Sequence, residues 1–403
     1  MKAMKKILFS LVVLLVSQVM SGQTGYETLL RAITLADRGE AEKAAALLAG
    51  TDEINGDVNL LSVRGDIYLR ASMIREARAD FMRAENLSQG SGLYGLARCA
   101  AADGDAKGAV SLLEAHLKSA FRKSEPVIML DPSFTSLSSS PEWRALWKKE
   151  WYRADERKSW EIDYYLKSGR NDMAAGVYAG LASLYPGKPV TEYCHARILM
   201  SNGKYREAAD ILETITGNSD APAGWLYTLA EAREGEGNAY AAATIYDRMI
   251  RARVADPALL LKRARMLIRS GDREAAKKEM QRYLSIDPDN SEALGLIGKT
   301  YAEEGAIYEA LPYLNDNVEK HPGEASAFRL RGDAWLAART WDRAAEDYTM
   351  SLDLDPENGN VNLNLGIALI NSGKSDDACY YLRKARSLGV KEATEYLARY
   401  CIR

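Results

Sequence analysis

The chain has 403 residues, with 53 Lys and Arg against 56 Asp and Glu, a formal charge of −3 and 47% hydrophobic residues. That balance excludes the basic footprint of a nucleic-acid binder. Length alone would suggest two or three globular domains, but the chain repeats itself, and repetition overrides length as a guide to domain count.

At the N-terminus Lys2, Lys5 and Lys6 form a positive start, residues 7–16 an apolar run, and Val19-Met20-Ser21-Gly22 a set of small residues suited to a signal peptidase. The run is too short to span a membrane as a helix, and no cysteine near the cleavage point offers a lipid attachment site. Residues 1–22 are therefore expected to be a cleaved signal peptide, with Ser21 or Gly22 the last residue removed. The mature chain would then be periplasmic or secreted. Cleavage removes three lysines and no acid, so the formal charge moves from −3 to −6, that of a mildly acidic soluble surface.

Three loose helical hairpins are expected over residues 25–120. Gly39 and Ala44 mark the first, from about residue 25. Gly65, Tyr68, Ala77, Phe81 and Ala84 mark the second, from about residue 58, and Gly104 and Ala109 the third, from about residue 90. Within the third, Gly90-Ser91-Gly92-Leu93-Tyr94-Gly95 matches the GxGxxG string of dinucleotide sites. That string needs a preceding strand to aim its loop. Residues 74–87 have helical periodicity instead, so the glycines read as a turn between hairpins.

Residues 121–154 break the pattern. Asp131-Pro132-Ser133-Phe134 and Ser138-Ser139-Ser140 are loop material, with Ser140 as N-cap and Pro141 at the first position of a helix. That helix is expected to carry Trp143, Trp147 and Trp151 on one face, three of the chain's seven tryptophans. Two readings stand: packing that joins the flanking blocks rigidly, or an exposed aromatic docking face, since large apolar patches mark contact sites.

From residue 155 to 388 the register becomes strict. A helix-ending glycine recurs every 34 residues at Gly169, Gly203, Gly237, Gly271, Gly305 and Gly373, with Arg339 in the one vacant slot. Five residues after each stands an alanine: Ala174, Ala208, Ala242, Ala276, Ala310, Ala344 and Ala378. Gly298, Gly332 and Gly366 form a further ladder, and Pro186, Pro288, Pro322 and Pro356 close units. Small residues where two helices cross and proline where a helix must stop are what a packed hairpin requires. The best unit, residues 291–324, has Leu294, Ile297, Gly298, Tyr301, Ala310, Leu314 and Pro322 at its key positions. This resembles the tetratricopeptide repeat, with Leu or Phe in place of the first Trp and Arg331 where Leu is usual. Residues 389–403 would be a capping helix.

The resemblance implies an all-α, right-handed superhelical solenoid of about ten helix–turn–helix units, with partner proteins or peptides bound in a concave groove lined by the first helix of each unit. Its ligand-facing positions fall here on Tyr193, Tyr227, Leu261, Gly295, Arg329 and Leu363, and on Arg197, Glu231, Arg265, Lys299, Asp333 and Ile367. The partner-binding candidates are Tyr193, Arg197, Tyr227, Glu231, Arg265, Lys299, Arg329 and Asp333. No unit has the Lys and Asn pair with which chaperone-binding members of the family hold a terminal carboxylate. A peptide or partner helix held by aromatic contacts and charge-assisted hydrogen bonds is the ligand expected.

No catalytic, metal or cofactor constellation emerges. His116, His195 and His321 are far apart and lack ligand-spaced partners, and neither a nucleophile elbow nor a phosphate loop occurs. Cys99, Cys194, Cys379 and Cys401 read either as small buried hydrophobes or, for the last two, as a bridge between the final helices. The chain is thus expected to be an exported scaffold or adaptor in a bacterial envelope, with no activity of its own. An accessory enzyme or weak hydrolase acting through residues 121–154 and a self-assembling structural protein are the alternatives.

Overall fold

The computed structural model describes residues 25–217 and 221–401, so the expected signal peptide lies outside the described residues. Every regular element described is helical. The chain divides into two compact units, one ending at Lys262 and the other beginning at Arg263.

The first unit opens with α1 (Gly25–Asp37), α2 (Ala41–Leu48), α3 (Val58–Arg70), α4 (Ile74–Leu87), α5 (Leu93–Ala102) and α6 (Ala106–Lys118). The insertion holds two short helices, α7 (Glu125–Met129) and α8 (Pro141–Leu146), with a 3-10 turn at Pro132–Leu137 between them. Then come α9 (Ala154–Lys167), α10 (Asn171–Leu184), α11 (Pro189–Ser201), α12 (Tyr205–Thr216), α13 (Ala223–Gly235), α14 (Ala239–Arg251) and α15 (Ala258–Arg269). The second unit continues with α16 (Arg273–Ile286), α17 (Ser291–Glu303), α18 (Ile307–Lys320), α19 (Ala325–Ala337), α20 (Trp341–Leu354), α21 (Gly359–Asn371), α22 (Ser375–Ser387) and α23 (Ala393–Tyr400).

The periodic columns explain the hairpins. All seven alanines of the strict register, and Ala44, Ala77 and Ala109 of the loose hairpins, are fully buried. A Cβ added at Gly298, Gly332 or Gly366 would come within 2.6, 2.9 and 2.7 Å of Leu314, Tyr348 and Leu382 on the paired second helix. Helices cross there too closely for any side chain. The turn between the two helices needs one left-handed residue. Each ladder glycine supplies it, and Arg339 adopts the same conformation at φ 58°, at a steric cost that glycine would avoid. Asn238 and Asp272, each directly after a ladder glycine, cap the following helix by accepting from Ala241 N and Ala275 N, both at 3.1 Å.

Arg331 departs from the repeat pattern for a structural reason. Its guanidinium forks onto Asp347 of the second helix, Nε to Oδ2 at 2.9 Å and Nη2 to Oδ1 at 2.7 Å. The same register in the second loose hairpin holds Arg64 and Asp80, bonded at 2.7 and 2.6 Å. A charged fork replaces an apolar contact across the same helix crossing.

The insertion is built into the first unit. Ile128, Phe134, Leu137, Trp143, Leu146 and Tyr152 bury themselves with Ala97, Leu113 and Leu117 of α5 and α6. The single tryptophan-bearing helix expected over this stretch does not form. Ser140 does cap α8, accepting from Trp143 N at 3.1 Å, but the helix ends at Leu146. Trp151 folds back, and its indole N–H donates to Leu146 O at 2.8 Å, occupying a carbonyl that a longer helix would have used. Trp143 is buried and packs against Phe134 with ring centroids 5.8 Å apart; Trp147 and Trp151 are half-buried against the same core.

At the start of the unit, Tyr26 Oη donates to Val254 O at 2.7 Å and the Arg253 guanidinium lies 5.6 Å from the Tyr26 ring. The first helix therefore meets a turn 228 residues further along the same unit. At the other terminus Cys379 and Cys401 form a disulfide, Cα atoms 5.7 Å apart, tying the end of α23 to α22. Cys99 and Cys194 are free and buried.

Candidate functional site

First helices of successive repeats lie side by side, α9 on α11 and α11 on α13 in the first unit, and α17 on α19 and α19 on α21 in the second. Their register positions therefore converge on shared clefts rather than scattering.

In the first unit Tyr193, Arg197, Tyr227 and Glu231, four of the residues singled out from sequence, line one cleft of about 550 Å³ together with Asp163, Lys167 and Thr228. The Tyr193 ring stacks on Trp225, centroids 5.1 Å apart and planes 15° from parallel, and its hydroxyl shares a hydrogen bond of 3.1 Å with Thr228 Oγ1. The Arg197 guanidinium lies 5.9 Å from the Tyr193 ring and is ion-paired with Asp163. Tyr227 donates its hydroxyl proton to Asp256, and the Lys262 ammonium stands 5.5 Å from its ring centroid. Burial, reinforced at Tyr227 by Asp256, pushes both phenols up, so both remain protonated. Burial also pulls Arg197 down against the attraction of Glu231. Glu231 itself is exposed at the rim. The cleft thus offers fixed aromatic surface, a preset guanidinium and an accessible carboxylate.

In the second unit Lys299 and Arg329 line a cleft of about 420 Å³ with Ser291, Glu292, Gly295, Asn317 and Glu324. Arg265 is outside its lining but ion-pairs with Glu292 on its wall. Asp333 also stands outside, accepting from Tyr348 Oη at 2.7 Å and Asn364 Nδ2 at 3.3 Å.

A third cleft, of about 790 Å³, lies in the first unit where the insertion meets α3 and α5, and register reasoning missed it. Tyr94 Oη donates to Asp131 Oδ2 at 2.6 Å, and Arg98 bridges Asp131 and Asp66. Burial alone would push the Asp131 carboxyl up, but donors from Tyr94 and Ser133 and the Arg98 charge hold it below the usual range. Behind this wall His116 is buried, its Nε2 accepting from Lys123 N at 2.8 Å, and burial lowers its pKa to about 4. The only advance sign of this cleft was the loop composition around Asp131.

Gly90, Gly92 and Gly95 follow the helix α4, not a strand, and serve packing. A Cβ at Gly92 would fall 2.0 Å from Phe81 O, and one at Gly95 2.2 Å from the Phe81 ring. Among the described residues no group of His, Cys, Asp and Glu is placed to hold a metal ion.

Comparison with known proteins follows the same register. The tetratricopeptide repeat family model matches residues 193–257, 261–325, 307–359 and 329–396. A curated relative, BBSome complex member bbs-4 of Caenorhabditis elegans, is 26% identical over 130 residues, which is 32% of this chain and 28% of that protein's length. Among solved structures, MamA from Desulfovibrio magneticus RS-1 is 22% identical with a TM-score of 0.39, covering 41% of this chain and 94% of its own. The Cut9–Hcn1 hetero-tetramer structure is 14% identical with a TM-score of 0.44, covering 93% and 83%. With the alanine column and Gly298, Gly332 and Gly366 buried as the repeat requires, the chain carries tetratricopeptide repeats.

Proposed function

We propose that this chain is an exported adaptor that binds partner proteins of a bacterial cell envelope through its repeat clefts and has no catalytic activity of its own. The observation that carries this reading is the convergence of Tyr193, Arg197, Tyr227 and Glu231, from two consecutive repeats, on a single cleft. Rigid aromatic surface beside a positioned guanidinium is the composition of binding hot spots. Export rests on the N-terminal pattern of lysines, apolar run and small residues.

The test is a photoreactive residue placed at Glu231, on the cleft rim, and separately at Arg206, which is exposed on the second helix α12, in the native cell. Mass spectrometry then identifies what is attached. A reproducible partner captured from position 231 and not from 206 supports the adaptor reading. Capture of nothing, or only of other copies of this chain, removes it. N-terminal sequencing of the recovered protein decides export: a mature start just after Ser21 or Gly22 is the expected result.

A further inference from the structure

The 34-residue register makes one repeat unlike the rest. The position occupied by Tyr193, Tyr227, Leu261, Arg329 and Leu363 in other repeats is Gly295 in the repeat at residues 291–324. A Cβ at Gly295 would lie 2.7 Å from Leu330 Cδ1 and 3.3 Å from Asn317 Nδ2. The missing side chain thus opens the cleft floor onto the carboxamide of Asn317, which lines that cleft. The residues equivalent to Asn317 are Leu181, Ile215, Met249, Tyr283, Ser351 and Ala385, so no other strict repeat puts an amide there.

Asn317 is 1% exposed, and its Oδ1 has no hydrogen-bond partner among the described residues. An unmatched buried carbonyl oxygen has lost its hydration without compensation, a penalty that a donor entering the cleft would relieve. A group that complements a carboxamide donates one hydrogen bond and accepts another side by side, as a main-chain amide does.

The cleft's charges add a second criterion. Of its acids, Glu292 is ion-paired with Arg265 from the neighbouring repeat, and Glu324 accepts from the Ser291 hydroxyl and keeps its charge. Among the described residues its cations meet acids one helical turn along their own helices, Lys299 with Glu303 at 3.7 Å and Arg329 with Asp333 at 3.1 Å. Pairs of that kind hold their members weakly, which leaves Lys299 and Arg329 ready to take a carboxylate.

We propose that this cleft binds an extended acidic peptide segment by its main chain. Asn317 pairs with one internal peptide amide, and Lys299 and Arg329 select an acidic side chain beside it. This rests on reading the chain as a protein-binding repeat protein, but it uses nothing from the Tyr193–Tyr227 cleft.

The test uses the full chain against an array of acetylated and amidated 12-residue peptides of graded acidic content, followed by titration of those that bind. Asn317→Ala and Gly295→Leu are expected to weaken binding tenfold or more, and Lys299→Ala to weaken only the acidic peptides. Arg206→Ala, at an exposed position on the second helix α12 and outside both clefts, is expected to change nothing. Ala385 and Leu261 already occupy these register positions in folded repeats, and unchanged melting would confirm that each variant folds. Equal binding by the Asn317→Ala and Gly295→Leu variants overturns the proposal, as does the absence of any bound peptide. Loss with Tyr193→Ala alone would also overturn it, while leaving the adaptor reading in place.

Discussion

The 34-residue ladder and the insertion at residues 121–154 both bury apolar surface on short helices, but by opposite means. In the ladder a column does the work: alanine at each helix crossing, a left-handed residue at each turn, a small residue facing the second helix. A local exception such as the Arg331–Asp347 fork is absorbed within its own repeat. In the insertion no column exists. Phe134 packs between Tyr94 and Trp143, while Trp151 and Tyr152 donate to Leu146 O and Lys123 O, contacts that recur nowhere among the described residues of the ladder. Periodic packing tolerates exchange between equivalent positions, whereas aperiodic packing does not.

The largest effect that would test this contrast is Trp143→Ala. It should cost about 4 kcal/mol, because the void sits in a core with no neighbouring register to close it. Chemical denaturation measures it, and a cost below about 1 kcal/mol would show the insertion to be as forgiving as the ladder.

His116, in the same aperiodic region, gives a pH signature. Its folded pKa of about 4 lies below the ordinary histidine value near 6.5, so the unfolded chain takes up the proton first. Stability from this group is therefore complete above pH 6.5 and is lost as pH falls towards 4, up to about 3 kcal/mol. Protonation also removes the lone pair that accepts from Lys123 N. Unfolding measured across that window should flatten in a His116→Gln variant.

In the ladder, Arg331→Ile leaves the Asp347 carboxylate buried without its partner and should cost about 2–3 kcal/mol. Adding Asp347→Tyr reproduces the Ile297 and Tyr313 of the preceding repeat and should recover most of that loss. Failure of the double variant to recover would mean that columns are not exchangeable. The smallest expected effect is a gain: Arg339→Gly relieves the one non-glycine left-handed residue in the ladder, raising stability by about 0.5–1 kcal/mol in a thermal melt.

What was legible in the sequence follows the same division. The hairpins, their turns and the side-by-side first helices follow from glycine and alanine spacing, because one physical requirement recurs often enough to be read. That register also brought Tyr193, Arg197, Tyr227 and Glu231 to one cleft. It placed Lys299 and Arg329 in another, with Arg265 and Asp333 outside both linings. Residues 147–151 keep helical spacing, so the sequence alone extends the tryptophan helix too far; its true end depends on the Trp151 indole reaching Leu146, a contact that local spacing does not reveal. Asn317 lies on a second helix, α18, outside the first-helix positions that the repeat register marks as ligand-facing. The available signal was an amide in a column that is otherwise apolar or small.

The proposed adaptor role stands or falls with partner binding at the Tyr193–Tyr227 cleft. The decisive comparison is the affinity of the captured partner for the wild-type chain against Tyr193→Ala and Tyr227→Ala variants that melt normally. The expected result is a loss of tenfold or more in at least one variant, on the scale of a hot-spot truncation. Unchanged affinity in both would move the binding surface elsewhere on the chain.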